Sequence, residues 1–308
     1  MKMTNNDTAL LERIYPEILK RITEAKPWKN NIFIPSMDVY RVDPSSEFMP
    51  YSTCSSRDFF HPEFKRLSAE IGIPEVFHRK YWEWVYVVHH AFRTNCVGPG
   101  KRGLVFGVGQ ETLPAVFAAS GMRVTATDAP RASTVSAAWK SGNEYAQELA
   151  EMPHGKMDRA EFERLVEWRE CDMNSIDPEF RDYDLCWSSC CFEHLGDLQK
   201  GIDFVINSVE KTLKIGGVAI HTTEFNLSSN EDTVEDGWTV LYRRKDIEAL
   251  IRELEQRGHS VDPLIVAPDT LVIDGYVDTP PYAAPPHLKL ALEGHVTTSV
   301  GLVIRRGR

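Results

Sequence analysis

Residues 103–128 read "GLVFGVGQETLPAVFAASGMRVTATD". An apolar run of strand length meets a glycine turn, a helical stretch follows, and a second apolar run ends in Asp128. In a doubly wound sheet this order builds a nucleotide crevice, because the N-terminus of the helix offers unpaired N–H groups. Gly107 and Gly109 let the backbone approach a ligand closely. Asp128 stands where an acid accepts hydrogen bonds from ribose hydroxyls.

The turn itself reads Gly107-Val108-Gly109-Gln110-Glu111-Thr112. A dinucleotide fingerprint places a third glycine where Thr112 stands. Glu111 would repel a pyrophosphate, whereas a ligand with an ammonium or sulfonium charge suits it. The turn therefore favours S-adenosylmethionine over NAD.

Outward from this unit the pattern alternates. Strands are expected at 103–107, 122–127, 166–171, 183–188, 218–225 and 296–306. Helices are expected at 111–120, 131–150, 157–165, 200–213 and 243–258, with Gly216-Gly217 and Gly258 as stops. Strands alternating with helices predict an α/β fold with a doubly wound, mostly parallel sheet. Residues 1–98 read differently. An amphipathic helix is expected around Leu10, Ile14, Ile18 and Ile22, then a Ser/Pro/aromatic loop, then a helix over 81–92. The boundary falls at "GPGK" (98–101), giving a helical and irregular cap (1–98) and a ligand-binding domain (99–308).

The 308 residues carry 45 acidic against 35 basic side chains, a net charge of −10. That argues against a nucleic-acid partner. No apolar run is long enough to insert in a membrane, and the six cysteines show no C-x-x-C pair or disulfide framework, so a cytoplasmic location is expected.

Four ordered blocks between 103 and 226 resemble the class I S-adenosylmethionine-dependent methyltransferases: "VFGVGQE" with "ATD", then "CDMNSID" (171–177), "DYDLCWSSCCFEHLGD" (182–197) and "LKIGGVAIHTTEFN" (213–226). The resemblance implies a seven-stranded sheet of order 3-2-1-4-5-7-6 with the last strand antiparallel. It also implies that Asp172 faces the adenine amino group and that Met173 packs on the ring. Gly107, Gly109, Glu111, Asp128, Asp172, Met173 and Ser189 are the expected donor-binding residues. S-adenosylhomocysteine would be the product. The connection from Asp128 to Asp172, with Trp139, Asn143 and Tyr145, is longer than this family needs.

Methyl transfer needs an aligned nucleophile and, for a hydroxyl, a base near the ends of strands 4 and 5. His194, His221 and Glu224 are the candidates. Glu193 and His194 are candidate ligands for a divalent metal, by analogy with E-x-x-E-H members of the family. Cys190 replaces the first ligand of that pattern, which weighs against a metal. Tyr51, Arg57 and His61 are expected to contact the acceptor, a small molecule or glycan hydroxyl, and the Pro-rich stretch 278–290 to cover the cleft. Dimerisation is left open, as are two other readings: an NAD(P)-dependent oxidoreductase and a non-catalytic donor-binding regulator.

Overall fold

A computed structural model describes residue 37 and residues 42–131, 145–282 and 285–308. The helix expected over 10–22, and Trp139 and Asn143, lie outside the described residues. Among the described residues, three helices precede the sheet: α1 (Ser56–Phe59), α2 (Pro62–Ile71) and α3 (Arg79–Arg93). The alternating part runs β1 (Arg102–Phe106), α4 (Leu113–Ala119), β2 (Arg123–Asp128), α5 (Arg159–Leu165), β3 (Val166–Glu170) and β4 (Tyr183–Ser189). It continues with α6 (Leu198–Asn207), β5 (Leu213–Asn226), α7 (Arg244–Gln256), β6 (Ser260–Val261), β7 (Val277–Asp278), β8 (Lys289–Leu292) and β9 (His295–Arg305).

The sheet order is β3-β2-β1-β4-β5-β9-β8-β7, with β6 also paired to β9. Strands β1 to β5 are parallel and β9 runs antiparallel beside β5. The expected order 3-2-1-4-5 followed by an antiparallel last strand is present. The count is nine rather than seven, and the reason lies at the outer edge of β9. Three short segments share that edge: β8 near its start, residues 52–54 in its middle, and β6 near its end. In the middle, Gly301 N donates to Ser52 O at 2.7 Å and Cys54 N to Ser299 O at 3.0 Å. An edge that would otherwise expose unpaired N–H and C=O groups is covered piecewise.

Local chemistry explains most boundaries. Helix α2 starts with Pro62 behind an N-cap His61 and stops at Gly72 in the left-handed region. His78 caps α3 by accepting from Lys80 N. Two expectations need correcting. The stretch 145–151 holds only a 3₁₀ turn, Leu149–Glu151, where the end of a helix was expected. The helix expected over 200–213 ends at Asn207; Ser208–Thr212 form a π turn and Gly216-Gly217 lie inside β5. There Ser208 Oγ bonds Val205 O and the His221 ring, and Thr212 Oγ1 bonds Ser208 O, so buried hydroxyls hold the wider turn.

Each face of the sheet buries one apolar cluster. One joins Phe64, Trp82 and Tyr86 of the cap to Val105, Phe117, Trp187 and Ile220. The other packs Phe204 and Leu250 of α6 and α7 on Phe106, Cys186 and Ile304. The first cluster is continuous across the expected boundary near residue 98, so α3 lies directly on the sheet. Contact is closest at Gly301, where an added Cβ would stand 2.2 Å from the Tyr86 ring. Gly301→Ala should therefore destabilise the protein by about 1–3 kcal/mol through overpacking. Urea denaturation measures this; an unchanged midpoint would mean that Tyr86 moves aside freely.

Candidate functional site

The glycine turn sits where β1 passes into α4. Gly107 and Gly109 have φ of 63° and 49°, in the region that favours glycine. A Cβ on Gly107 would also meet Cys191 Sγ at 2.6 Å. Asp128 closes β2 with its carboxylate inside the crevice. Oδ1 accepts from Ala129 N at 2.8 Å, and Oδ2 from Gly109 N at 3.1 Å and Ala146 N at 3.4 Å. Burial raises its pKa to about 6 against those three N–H groups. Tyr145 and Ala146 lie over this acid, and Tyr145 Oη donates to Ala129 O at 2.7 Å.

Asp172 follows β3 and is exposed, its carboxylate accepting from Asn174 N at 2.9 Å. Met173 packs against the cluster under α6 and α7. Glu111 is buried and accepts from Trp187 Nε1 at 2.7 Å. Burial raises its pKa to about 7, with the Trp187 bond and Lys80 opposing. Ser189 ends β4, and its carbonyl accepts from Lys80 Nζ at 2.7 Å.

The other half of the site lies at the tips of β4, β5 and β9, where α3 delivers Arg79, Lys80 and Glu83. Glu83 is fully buried. Its carboxylate meets Arg79 Nη1 at 3.3 Å, Lys80 Nζ at 3.6 Å, Thr222 Oγ1 at 3.2 Å and Cys190 Sγ at 3.3 Å, and also the Ser299 hydroxyl. Burial pushes the Glu83 pKa up, but Lys80 and Arg79 outweigh it and hold the carboxyl below its usual range. Arg79 also pairs with Glu224 and reaches Cys190 Sγ at 3.3 Å. Burial raises Glu224 to about 7 despite Arg79, with Glu193 and Glu83 adding to the rise. Oε2 of Glu224 and Nε of Arg79 are buried without hydrogen-bond partners.

The three candidate bases are separated by the sheet. Glu224 lies on the α3 side at the tip of β5. His221 points to the opposite face, bonded to Ser188 Oγ at 2.8 Å and Ser208 Oγ at 2.9 Å beside Phe192 and Phe204. Burial lowers its pKa to about 3. His194 sits after β4, its Nδ1 near Trp238 O and Thr239 Oγ1 and its Nε2 3.9 Å from Glu193. Glu193 is buried and accepts from Thr223 Oγ1 at 2.9 Å.

Tyr51 and Arg57 come together in a cleft of about 390 Å³ with Val42, Asp43, Ser46, Thr270 and Leu271. Neither Asp128 nor Glu224 lines it. His61 caps α2 and stacks on Phe48 at 4.8 Å. In the 278–290 strap, His287 bonds buried Asp278 at 2.7 Å and stacks on His78 at 4.5 Å, beside the start of α3.

The sequence reading passed over Arg79, Lys80 and Glu83. A usable signal was there: "RKYWEW" places Arg79 and Glu83 four residues apart, on one face of an otherwise apolar helix.

The raised Glu111 carboxyl gives a testable pH dependence. The fold holds its proton above the unfolded value of 4.5, so its stabilising contribution is complete below 4.5 and is lost as pH rises to about 7. Glu111→Gln keeps an acceptor for Trp187 without the ionisation. The variant should gain about 3 kcal/mol relative to the parent at pH 8 and lose this part of the pH slope. Urea titrations at pH 5 and 8 measure both; parallel pH profiles for the two proteins would refute it.

No family model matches the sequence, and no curated protein matches it either. Solved structures do. The methyltransferase domain of bacterial CtHen1-C is 17% identical over 73% of this chain and 97% of its own, with a TM-score of 0.44. The glycopeptide N-methyltransferase MtfA is 16% identical over 73% of this chain and 90% of its own, with a TM-score of 0.42. An S-adenosylmethionine-dependent methyltransferase from Clostridium acetobutylicum is 12% identical over 80% of this chain and 98% of its own, with a TM-score of 0.39. Independently of these, the strand order β3-β2-β1-β4-β5 with antiparallel β9 beside β5 is the one expected from the sequence.

Proposed function

We propose that this chain transfers a methyl group from S-adenosylmethionine to a hydroxyl of a small molecule or glycan. The observation that carries the reading is the pairing of the Gly107/Gly109 turn with the buried Asp128 carboxylate, in a sheet whose long strand β9 runs antiparallel beside β5. A dinucleotide-binding sheet has the order 3-2-1-4-5-6 and is mostly parallel, so a long antiparallel β9 directly beside β5 disfavours the oxidoreductase alternative. Residues 99–308 are read as the donor-binding domain and residues 1–98 as the acceptor-side cap.

The residues present suit the donor. A carboxylate offers about four lone-pair positions, and three N–H groups use three at Asp128. One ribose hydroxyl can take the fourth, and a second can displace the longest bond, from Ala146 N. Asp172 and Met173, just beyond β3, are read as the residues that meet the adenine. Glu111 and Glu224 supply acidic character for a cationic ligand. When bound, the donor supplies an activated methyl group on sulfonium.

The chain then has to align the acceptor and take its proton. Glu224 is the reading's base: it stands at the tip of β5 with Oε2 unpartnered, and its pKa of about 7 suits proton transfer near neutrality. Arg79 holds Oε1 and leaves Oε2 to receive the proton. The cap helix and the 278–290 strap limit access of water from their side.

Saturating S-adenosylhomocysteine should raise the thermal midpoint by several degrees, whereas NADH should not. Asp128→Ala should weaken donor binding by about 1–3 kcal/mol in calorimetry. No thermal response to S-adenosylhomocysteine, together with enhanced NADH fluorescence, would replace this reading by the oxidoreductase.

With acceptors found by transfer of label from the donor, kcat/KM should rise with pH to a plateau above about 7, as Glu224 ionises. Glu224→Gln should lower kcat by about 100-fold or more and abolish that limb. A variant that keeps the limb would move the base elsewhere.

A further inference from the structure

One cluster at the catalytic end is built like a metal site. Cys190, Glu193 and Glu224 each offer a ligand atom, and these atoms lie within 4.8 Å of one another. Two are buried carboxylates from different elements, Glu193 after β4 and Glu224 on β5. Cys190 is held there by a left-handed backbone, φ 55°, and by its N–H bonds to Thr222. Buried acids brought this close require a positive partner. A thiol with two carboxylates suits a divalent ion of borderline softness.

The cation already present is organic. Arg79 enters from the cap with Nη2 on Glu224 and Nη1 at 3.3 Å from Cys190 Sγ, and the same Nη1 reaches Glu83 at 3.3 Å. Its planar fork does not fill the cluster: Arg79 Nε and Glu224 Oε2 stay buried without partners. Glu224 has a side-chain exposure of only 4%, so that oxygen is not satisfied by bulk solvent. His194 borders the cluster, its Nε2 3.9 Å from Glu193 while Nδ1 is committed to the 238–239 backbone and hydroxyl.

We propose that Arg79 is the resident cation of a latent metal centre, its guanidinium occupying the charge position that a divalent ion would take between Cys190, Glu193 and Glu224. The wild-type protein then works without a metal in this position. Removing the guanidinium uncovers a site for cobalt or zinc. On binding, a metal–sulfur bond forms at Cys190 and the thiol proton leaves to solvent; no electron is transferred. This inference is independent of the methyl-transfer reading, because its test reads metal binding and uses neither donor nor acceptor.

The test is titration of cobalt(II) into metal-free wild type, Arg79→Met and Arg79→Gln under anaerobic conditions, with folding checked by circular dichroism. The sulfur-to-cobalt charge-transfer band reports ligation by Cys190. The folded Arg79 variants should bind one equivalent with the band, about tenfold or more tighter than wild type, because a positive charge has left the cluster. Adding Cys190→Ser should remove the band, and Arg79→Lys, which keeps the charge, should behave as wild type. Wild type binding one equivalent as tightly as the variants, with the band, would overturn the proposal. So would a folded Arg79→Met or Arg79→Gln with no band. Should both neutral variants fail to fold, wild type and Arg79→Lys still decide: a Cys190-dependent band at one equivalent of cobalt in either overturns it, and a band that needs at least about a tenfold excess, or no band, in both sustains it.

Discussion

The Glu83 carboxylate is a charge with no access to water, and much of the molecule's upper surface is arranged around it. An isolated buried carboxylate would cost several kcal/mol or would take up a proton. Here it remains ionised because α3 carries Arg79 and Lys80 one turn earlier, and because Thr222 of β5, Ser299 of β9 and Cys190 just after β4 reach it. Those five groups can meet only if α3 lies flat on the sheet with its first turn at the strand tips. The apolar face of α3 (Trp82, Val85, Tyr86) sets the docking surface, and the charges set the register along it. Cap and sheet thus form one electrostatic unit, and the side chains that would face an acceptor are the ones that hold the two together.

A second consequence concerns the acids around the glycine turn. Asp128, Glu111 and Glu224 are each pushed toward neutral pH by burial. Without a ligand this part of the fold carries groups whose charged forms are poorly solvated. A cationic guest relieves that penalty, whereas an anionic one would add to it. The preference read from Glu111 in the sequence therefore extends to the wider crevice, although Glu111 itself is committed to Trp187.

The parts legible in the sequence were those governed by neighbours along the chain. The turn at 107–112, the helix expected at 81–92 and found at Arg79–Arg93, and the positions of β1 to β5, though not the early start of β5 at Leu213, follow from local patterning. The end of α6 was misplaced because buried hydroxyls of Ser208 and Thr212 hold a π turn, a tertiary effect that no periodicity reports. The sequence offers His221 beside Glu224 since both lie near the end of one strand. Their odd spacing, three residues apart on a strand of period two, puts them on opposite faces. Arg79, Lys80 and Glu83 escaped notice because their partners, Cys190, Glu224 and Ser299, lie more than a hundred residues downstream, and composition shows only charges inside an aromatic helix.

The covering of β9 by residues 52–54 bears on how the protein reaches its native state. Thr53 is synthesised well before that strand, and its bridge partner Val300 lies far downstream. Contacts of such high sequence separation form late and slow folding. During translation the β1–β4 core can assemble while the segment near Thr53 still lacks its partner. The cap can lock, and Arg79 can meet Glu224, only after the C-terminal strand has emerged. Closure of the cap is therefore coupled to the emergence of β9, and a nascent chain truncated before it would leave the segment near Thr53 without its partner strand.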